Sequence, residues 1–98
     1  MMNKKIIPLN IDLKEANLQE MILEGIFFKN SNLSFSNLTG AILNHAILDH
    51  VELKGAILKK AKADFITATS IDFSDIDSEN IDSASFSDAK FFECINAP

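Results

Sequence analysis

A large apolar residue recurs at every fifth position from Leu13 to Leu58 without a gap: Leu13, Leu18, Leu23, Phe28, Leu33, Leu38, Leu43, Leu48, Leu53 and Leu58. That spacing fits neither regular period. On an α-helix, at about 100° per residue, each step drifts by roughly 140°, and these residues would spiral around every face. On a continuous strand an odd spacing sends successive leucines to opposite sides. One interior can hold all of them only if the chain turns a corner within every unit. The pattern therefore predicts a solenoid.

The other positions of the unit agree. Two residues before each leucine, on the same side of an extended segment, small residues are common: Ala16, Ser31, Ser36, Ala41, Ala46, Ala56 and Ala61. The residue after the leucine is polar throughout, from Lys14 and Gln19 to Lys54 and Lys59. Next come turn formers, with Gly25, Gly40 and Gly55 evenly spaced and Asn30 among them; these tolerate the left-handed backbone of a tight corner. Each unit is thus a short extended piece with two inward side chains and a two-residue bend.

Ala16-Asn17-Leu18-Gln19-Glu20, Ser31-Asn32-Leu33-Ser34-Phe35 and Ser36-Asn37-Leu38-Thr39-Gly40 resemble the A(D/N)LXX units of the pentapeptide repeat family, and Ala84-Ser85-Phe86 and Ala89-Lys90-Phe91 resemble its phenylalanine variants. The likeness covers residues 11–93. It implies an all-β fold, a right-handed quadrilateral parallel β-helix with four units per coil and about four coils. At roughly 4.8 Å between stacked backbones the rod would be about 20 Å long. Residues twenty apart would then stack, Leu13 on Leu33 on Leu53. Met21, Ile26 and Val51 are bulky where small residues are usual, so the early coils are expected to be wider or locally distorted.

After Leu58 the frame is harder to follow. Kept unchanged, it would put Ser78, Ser83 and Asp88 in the core; shifted, it puts Ile71, Ile76, Ile81, Phe86 and Phe91 there. The shifted frame is the better reading, and it requires a bulge or loop somewhere in residues 59–70. Residues 1–10 and 94–98 fall outside the repeat and are expected to form an N-terminal cap and a C-terminal tail.

Composition narrows the function. The 98 residues are 47% hydrophobic and 23% charged, with a net charge of −5 and a pI near 4.8. That excludes wholesale disorder. All nine basic residues are lysines, which argues against bidentate reading of phosphates or base edges, so no direct nucleic-acid binding is expected. No apolar run approaches a membrane span, the start is too short in apolar residues for a signal peptide, and the single cysteine, Cys94, fits a reducing compartment. A cytoplasmic protein without a membrane attachment is expected.

Candidate chemistry is sparse. His45 and His50 lie beside Asn44 and Asp49, a ligand-type set, yet they occupy successive corners and point different ways, so no metal site is expected. Cys94 has no histidine near it in sequence to act as its base. The serines and aspartates of Ser70–Asp88 read as outward repeat positions. No phosphate loop, dinucleotide fingerprint or zinc spacing occurs, and a filled bore leaves no pocket. Neither a catalytic residue nor a cofactor is assigned, and no enzyme is expected.

Two surface features stand out. Apolar residues occupy the outward position just before the leucine at Ile22, Phe27, Ile42, Ile47 and Ile57. In twenty-residue coils Ile22 falls beside Ile42 and Phe27 beside Ile47 on the adjacent face. Either a covering segment or a partner must meet such a patch. Ile22, Phe27, Ile42 and Ile47, together with Phe91 and Phe92 at the far end, are therefore the candidate interface for a protein partner or a homodimer.

The second feature is polarity of charge. Residues 1–63 hold eight lysines and six acids, net +2, whereas residues 64–98 hold eight acids and one lysine, net −7. Some pentapeptide repeat proteins resemble B-DNA in shape and charge and occupy the DNA site of type II topoisomerases. The resemblance thus implies an alternative to the interaction module: a DNA-mimicking modulator of gyrase, with Asp72, Asp75, Asp77 and Asp82 as its acidic surface.

Overall fold

The computed structural model describes residues 7–98; the first part of the expected N-terminal cap lies outside them. Four short strands, β1 (Phe27–Lys29), β2 (Ile47–Asp49), β3 (Thr67–Thr69) and β4 (Lys90–Phe92), form one parallel sheet in the order β1-β2-β3-β4. β1 meets β2 with Phe27 opposite Ile47, and β2 meets β3 with Ile47 opposite Thr67, an offset of twenty residues each time. The other three sides close the same way through single bridges: Asp12 with Asn32, Asn17 with Asn37, and Ile22 with Ile42. Four five-residue units therefore complete a turn, and the fold is a quadrilateral parallel β-helix.

The local chemistry of a unit accounts for its shape. At most corners the leucine carbonyl accepts from the N–H three residues on, as in Ala41 N to Leu38 O (2.9 Å) and Ala46 N to Leu43 O (2.9 Å). The second residue after the leucine is left-handed at every unit from Glu15 to Ser70, whether glycine (Gly40, φ 69°) or not (Phe35, φ 59°; His45, φ 62°). Asparagine or aspartate just before the leucine supports the bend. The side chains of Asn17, Asn32, Asn37 and Asp72 accept from the N–H two residues on, at 2.8–3.2 Å. Such a side chain satisfies a donor that the corner strips of its ladder partner.

The leucines fill the bore. Leu33, Leu38, Leu43, Leu48, Leu53 and Leu58 are buried, with Ala41, Ala46, Ala56 and Ala61 against them. A gap of about 10 Å³ lies among them, at the lower limit for one water. Each leucine withdrawn from water contributes about 1.5–3 kcal/mol. The bulky residues expected to widen the early coils behave differently. Val51 is buried in the ordinary way, whereas Met21 is 44% exposed and Ile26 half-buried, both in the first coil of the described residues.

The frame does not shift within residues 59–70. It runs on to Phe73, with Ala63 and Ala68 at the leucine position and Ile66 and Ile71 at the small one, all of them buried. Large and small have exchanged places, so the bore keeps its volume. The insertion comes later: beyond it the offset becomes 23, with Thr67 opposite Lys90 and Asp72 opposite Ile95. Gly55 N donates to Asp75 O, one residue beyond its regular partner, and Leu58 N to Asn80 O, three beyond. The three extra residues are thus Asp77–Glu79, which open a single 3-10 turn, Ser78–Ile81, with no buried side chain. Ile81, Phe86 and Phe91 then take the inward position as the shifted frame expects. The repeat also passes the expected start of the tail at residue 94, because Ile95 N donates to Ile71 O and Phe73 N to Ile95 O (both 2.9 Å).

Candidate functional site

The outward apolar residues fall where the twenty-residue offset puts them. Ile22 bridges Ile42 on one face, and Phe27 pairs with Ile47 on the next. Ile22 is 75% exposed, while Phe27, Ile42 and Ile47 are half-buried by their neighbours. Ile57 bridges Asn37 on a different face. Further along the two apolar faces the same columns continue as Lys62 and Thr67, then Ser85 and Lys90. The patch thus ends midway along the rod.

At the far end Phe91 and Phe92 part company. Phe91 packs inward, edge-on to Phe73 with ring centroids 5.7 Å apart, whereas Phe92 is 51% exposed. Cys94 is half-buried, its thiol 3.5 Å from Ala68 O and 3.4 Å from Phe92 O.

Asp72 and Asp75 line a groove together, while Asp77 and Asp82 flank the 3-10 turn. Lys60 runs beside that turn, its backbone N–H donating to Asp82 O. Asp64 does a structural job: its carboxylate accepts from the Ser85 hydroxyl and the Ser87 N–H, tying coils together across the insertion. Those bonds, the hydroxyl first, hold its carboxyl below the ordinary 3.8. Ser74, through its hydroxyl and then its amide, does the same for Asp72.

His45 and His50 are exposed corner residues. The His45 ring stacks flat on Phe65, twenty residues on, with centroids 4.9 Å apart. The His50 Nδ1 meets Asp49 Oδ1 at 2.5 Å. Among the described residues no group of three or more histidine, cysteine or acidic side chains is placed to hold a metal ion, and no helix is long and apolar enough to cross a membrane.

The expectation that a filled bore leaves no pocket needs correcting, because the cavity is on the outside. A groove of about 510 Å³ runs over the face of Glu52 and Asp72, bounded by Ser34, His50, Lys54 and Asp75. These residues are scattered in sequence and belong to outward positions of different units. Only the twenty-residue stacking brings them together.

The family model for pentapeptide repeats matches in eight copies, over residues 11–49, 28–64 and 36–75. No curated protein matches the chain. Among solved structures it is similar to a pentapeptide repeat protein, Rfr23, from the cyanobacterium Cyanothece 51142, at 22% identity and a TM-score of 0.44, covering 95% of this chain and 66% of that one. It is also similar to HetL, a pentapeptide repeat protein involved in heterocyst differentiation regulation from the cyanobacterium Nostoc sp. strain PCC 7120. There the identity is 19% and the TM-score 0.40, over 90% of this chain and 46% of that one. The chain thus spans less than two thirds of either protein.

Proposed function

Because the chain belongs to the pentapeptide repeat family, we propose that it is a non-enzymatic protein-interaction module whose apolar faces receive a second copy of itself. The observation that carries this reading is the pairing of Ile22 with Ile42 and of Phe27 with Ile47, which sets four outward apolar side chains on two adjacent flat faces. A two-fold contact needs one self-complementary patch, and a rigid parallel ladder offers it without reordering on binding. Light scattering over a range of concentrations tests it. A dimer should form and be dispersed by Ile42→Lys with Ile47→Lys, with the melting behaviour of the isolated rod kept. A monomer at every concentration removes the homodimer.

A second reading, the DNA-mimicking modulator of gyrase, is favoured by the net −7 of residues 64–98. Against it stands Lys60, which runs beside the acidic turn. Binding of this kind weakens steeply with salt. Absence of any effect on DNA supercoiling by gyrase at low salt, either as inhibition or as protection from a poison, eliminates it.

A further inference from the structure

We propose that the groove over Glu52 and Asp72 is a second docking site, which receives a guanidinium: the arginine side chain of a partner polypeptide. The site lies on the face opposite the Ile22–Ile42 pair, and is independent of the homodimer.

Three carboxylates, Glu52, Asp72 and Asp75, share the groove with a single lysine, Lys54. Among the described residues the one ion pair is His50 with Asp49, so Lys54 pairs with none of the three and the groove keeps a net negative charge. Glu52 and Asp72 sit twenty residues apart along this face, but no bridge joins them as one joins Asn32 to Glu52. One oxygen of Asp72 accepts from the Ser74 N–H at 2.8 Å, which fixes the carboxylate.

Ser34 is the independent sign of a ligand. It lines the groove and is only 6% exposed, yet its hydroxyl has no hydrogen-bond partner among the described residues. Its backbone is fully engaged, the N–H on Asn32 Oδ1 and the carbonyl on Glu15 N. No polar side-chain atom among the described residues is both sealed from solvent and unpartnered. The Ser34 hydroxyl therefore keeps some access to solvent, and the groove is the cavity that this residue lines; a polar group this deeply placed gains most from a partner.

The occupant follows from the chemistry of the walls. A bare metal ion is far smaller than the groove, and no ligand cluster is present among the described residues. A guanidinium brings five donors in a rigid plane, enough for two carboxylates and a hydroxyl at once. The His50 side chain, 59% exposed at the rim, offers a flat ring for that plane to stack on. This sequence contains no arginine, so a second copy cannot supply the group and the partner is a different protein.

The test is a titration of the isotope-labelled protein, followed by amide NMR, with the capped peptide acetyl-Gly-Arg-Gly-amide and its lysine and citrulline counterparts. Saturable shifts should gather at Ser34, His50, Glu52 and Asp72, with arginine ahead of lysine and citrulline inert. Glu52→Gln together with Asp72→Asn should weaken binding about tenfold, as expected for charged hydrogen bonds. Ser34→Ala should weaken it severalfold, and Glu24→Gln, at a distant corner, should not change it. Shifts scattered over every acidic residue, or no saturation, would overturn the proposal. So would spermidine binding more tightly than the peptide, or calcium displacing it; these would assign the groove to a free polyamine or a metal.

Discussion

Deleting Asp77–Glu79 should leave the fold intact and make it more stable. The deletion joins Ile76 directly to Asn80, giving Ile76-Asn80-Ile81, an ordinary unit with its inward pair two residues apart. Ordering three residues costs about 1–2 kcal/mol each, so about 3–6 kcal/mol in all. In return the turn makes two hydrogen bonds, Asn80 N to Asp77 O at 2.9 Å and Asp82 N to Glu79 O at 3.3 Å, worth about 0.5–1.5 kcal/mol each. Asp77, Ser78 and Glu79 are all exposed, so no hydrophobic contribution offsets the balance. Two carboxylates also leave the acidic half of the molecule. Subtracting the second range from the first leaves a net gain of about 0–5 kcal/mol, centred on about 2.5, and for a domain of this size each kilocalorie raises Tm by about 4–8 °C. Thermal unfolding followed by circular dichroism measures it. The control is an equal deletion in regular repeat, Asn37–Thr39, which removes the fully buried Leu38 and should abolish folding. If the two deletions behave alike, or the first lowers Tm, the three-residue insertion has been misplaced and the register with it.

Three further outcomes are expected. Leu38→Asp should unfold the domain, because an unpaired charge in the bore costs several kcal/mol, while Gln19→Asp at an exposed position should change stability by less than about 0.5 kcal/mol; equal melting temperatures would refute the assignment of inside and outside. Gly55→Ala should cost more than Gly25→Ala. Both are left-handed, but a Cβ at Gly55 would come within 2.5 Å of the Phe35 ring and one at Gly25 would meet nothing within 4 Å; adding Phe35→Ala should remove the difference, and a gap that survives it would show that the ring is not the cause. Asp64 titrates below 3.8 in the folded chain, so its contribution is complete above that value and is lost as the pH falls through the folded one. Asp64→Asn should therefore lower Tm at neutral pH and flatten the acid limb, and parallel acid limbs would count against the bonds to Ser85 and Ser87.

The architecture was legible because the interior obeys one simple rule. A leucine every fifth residue admits no other burial, and the corner follows from it; the twenty-residue offset, and with it the Ile22–Ile42 and Phe27–Ile47 pairings, follows only once the resemblance to the repeat family supplies four units per coil. The frame went astray at Ala63 and Ala68, where tracking large residues alone misses that Ile66 and Ile71 supply the volume from the other inward position. Left-handed Phe35 and His45 were equally unforeseeable from residue preference, since stacking on the neighbouring coil outweighs a local cost of about 1–2 kcal/mol. The groove was hidden for another reason. Ser34, Glu52, Asp72 and Asp75 look like ordinary outward residues until the stacking sets them side by side.

The twenty-residue ladder also limits how such a chain can lengthen. Adding one unit of five extends the bore smoothly, because every unit presents the same inward pair. It also rotates all that follows by a quarter turn, carrying each downstream side chain to the next wall. A duplication of twenty restores every wall to its place. The interior is thus commensurate with any multiple of five, and the exterior only with multiples of twenty. Asp77–Glu79 belongs to neither series and behaves like a dislocation in a crystal. The layers on both sides stay in register with themselves, and the fault is confined to one corner, where the chain can change its outer markings without disturbing what it encloses.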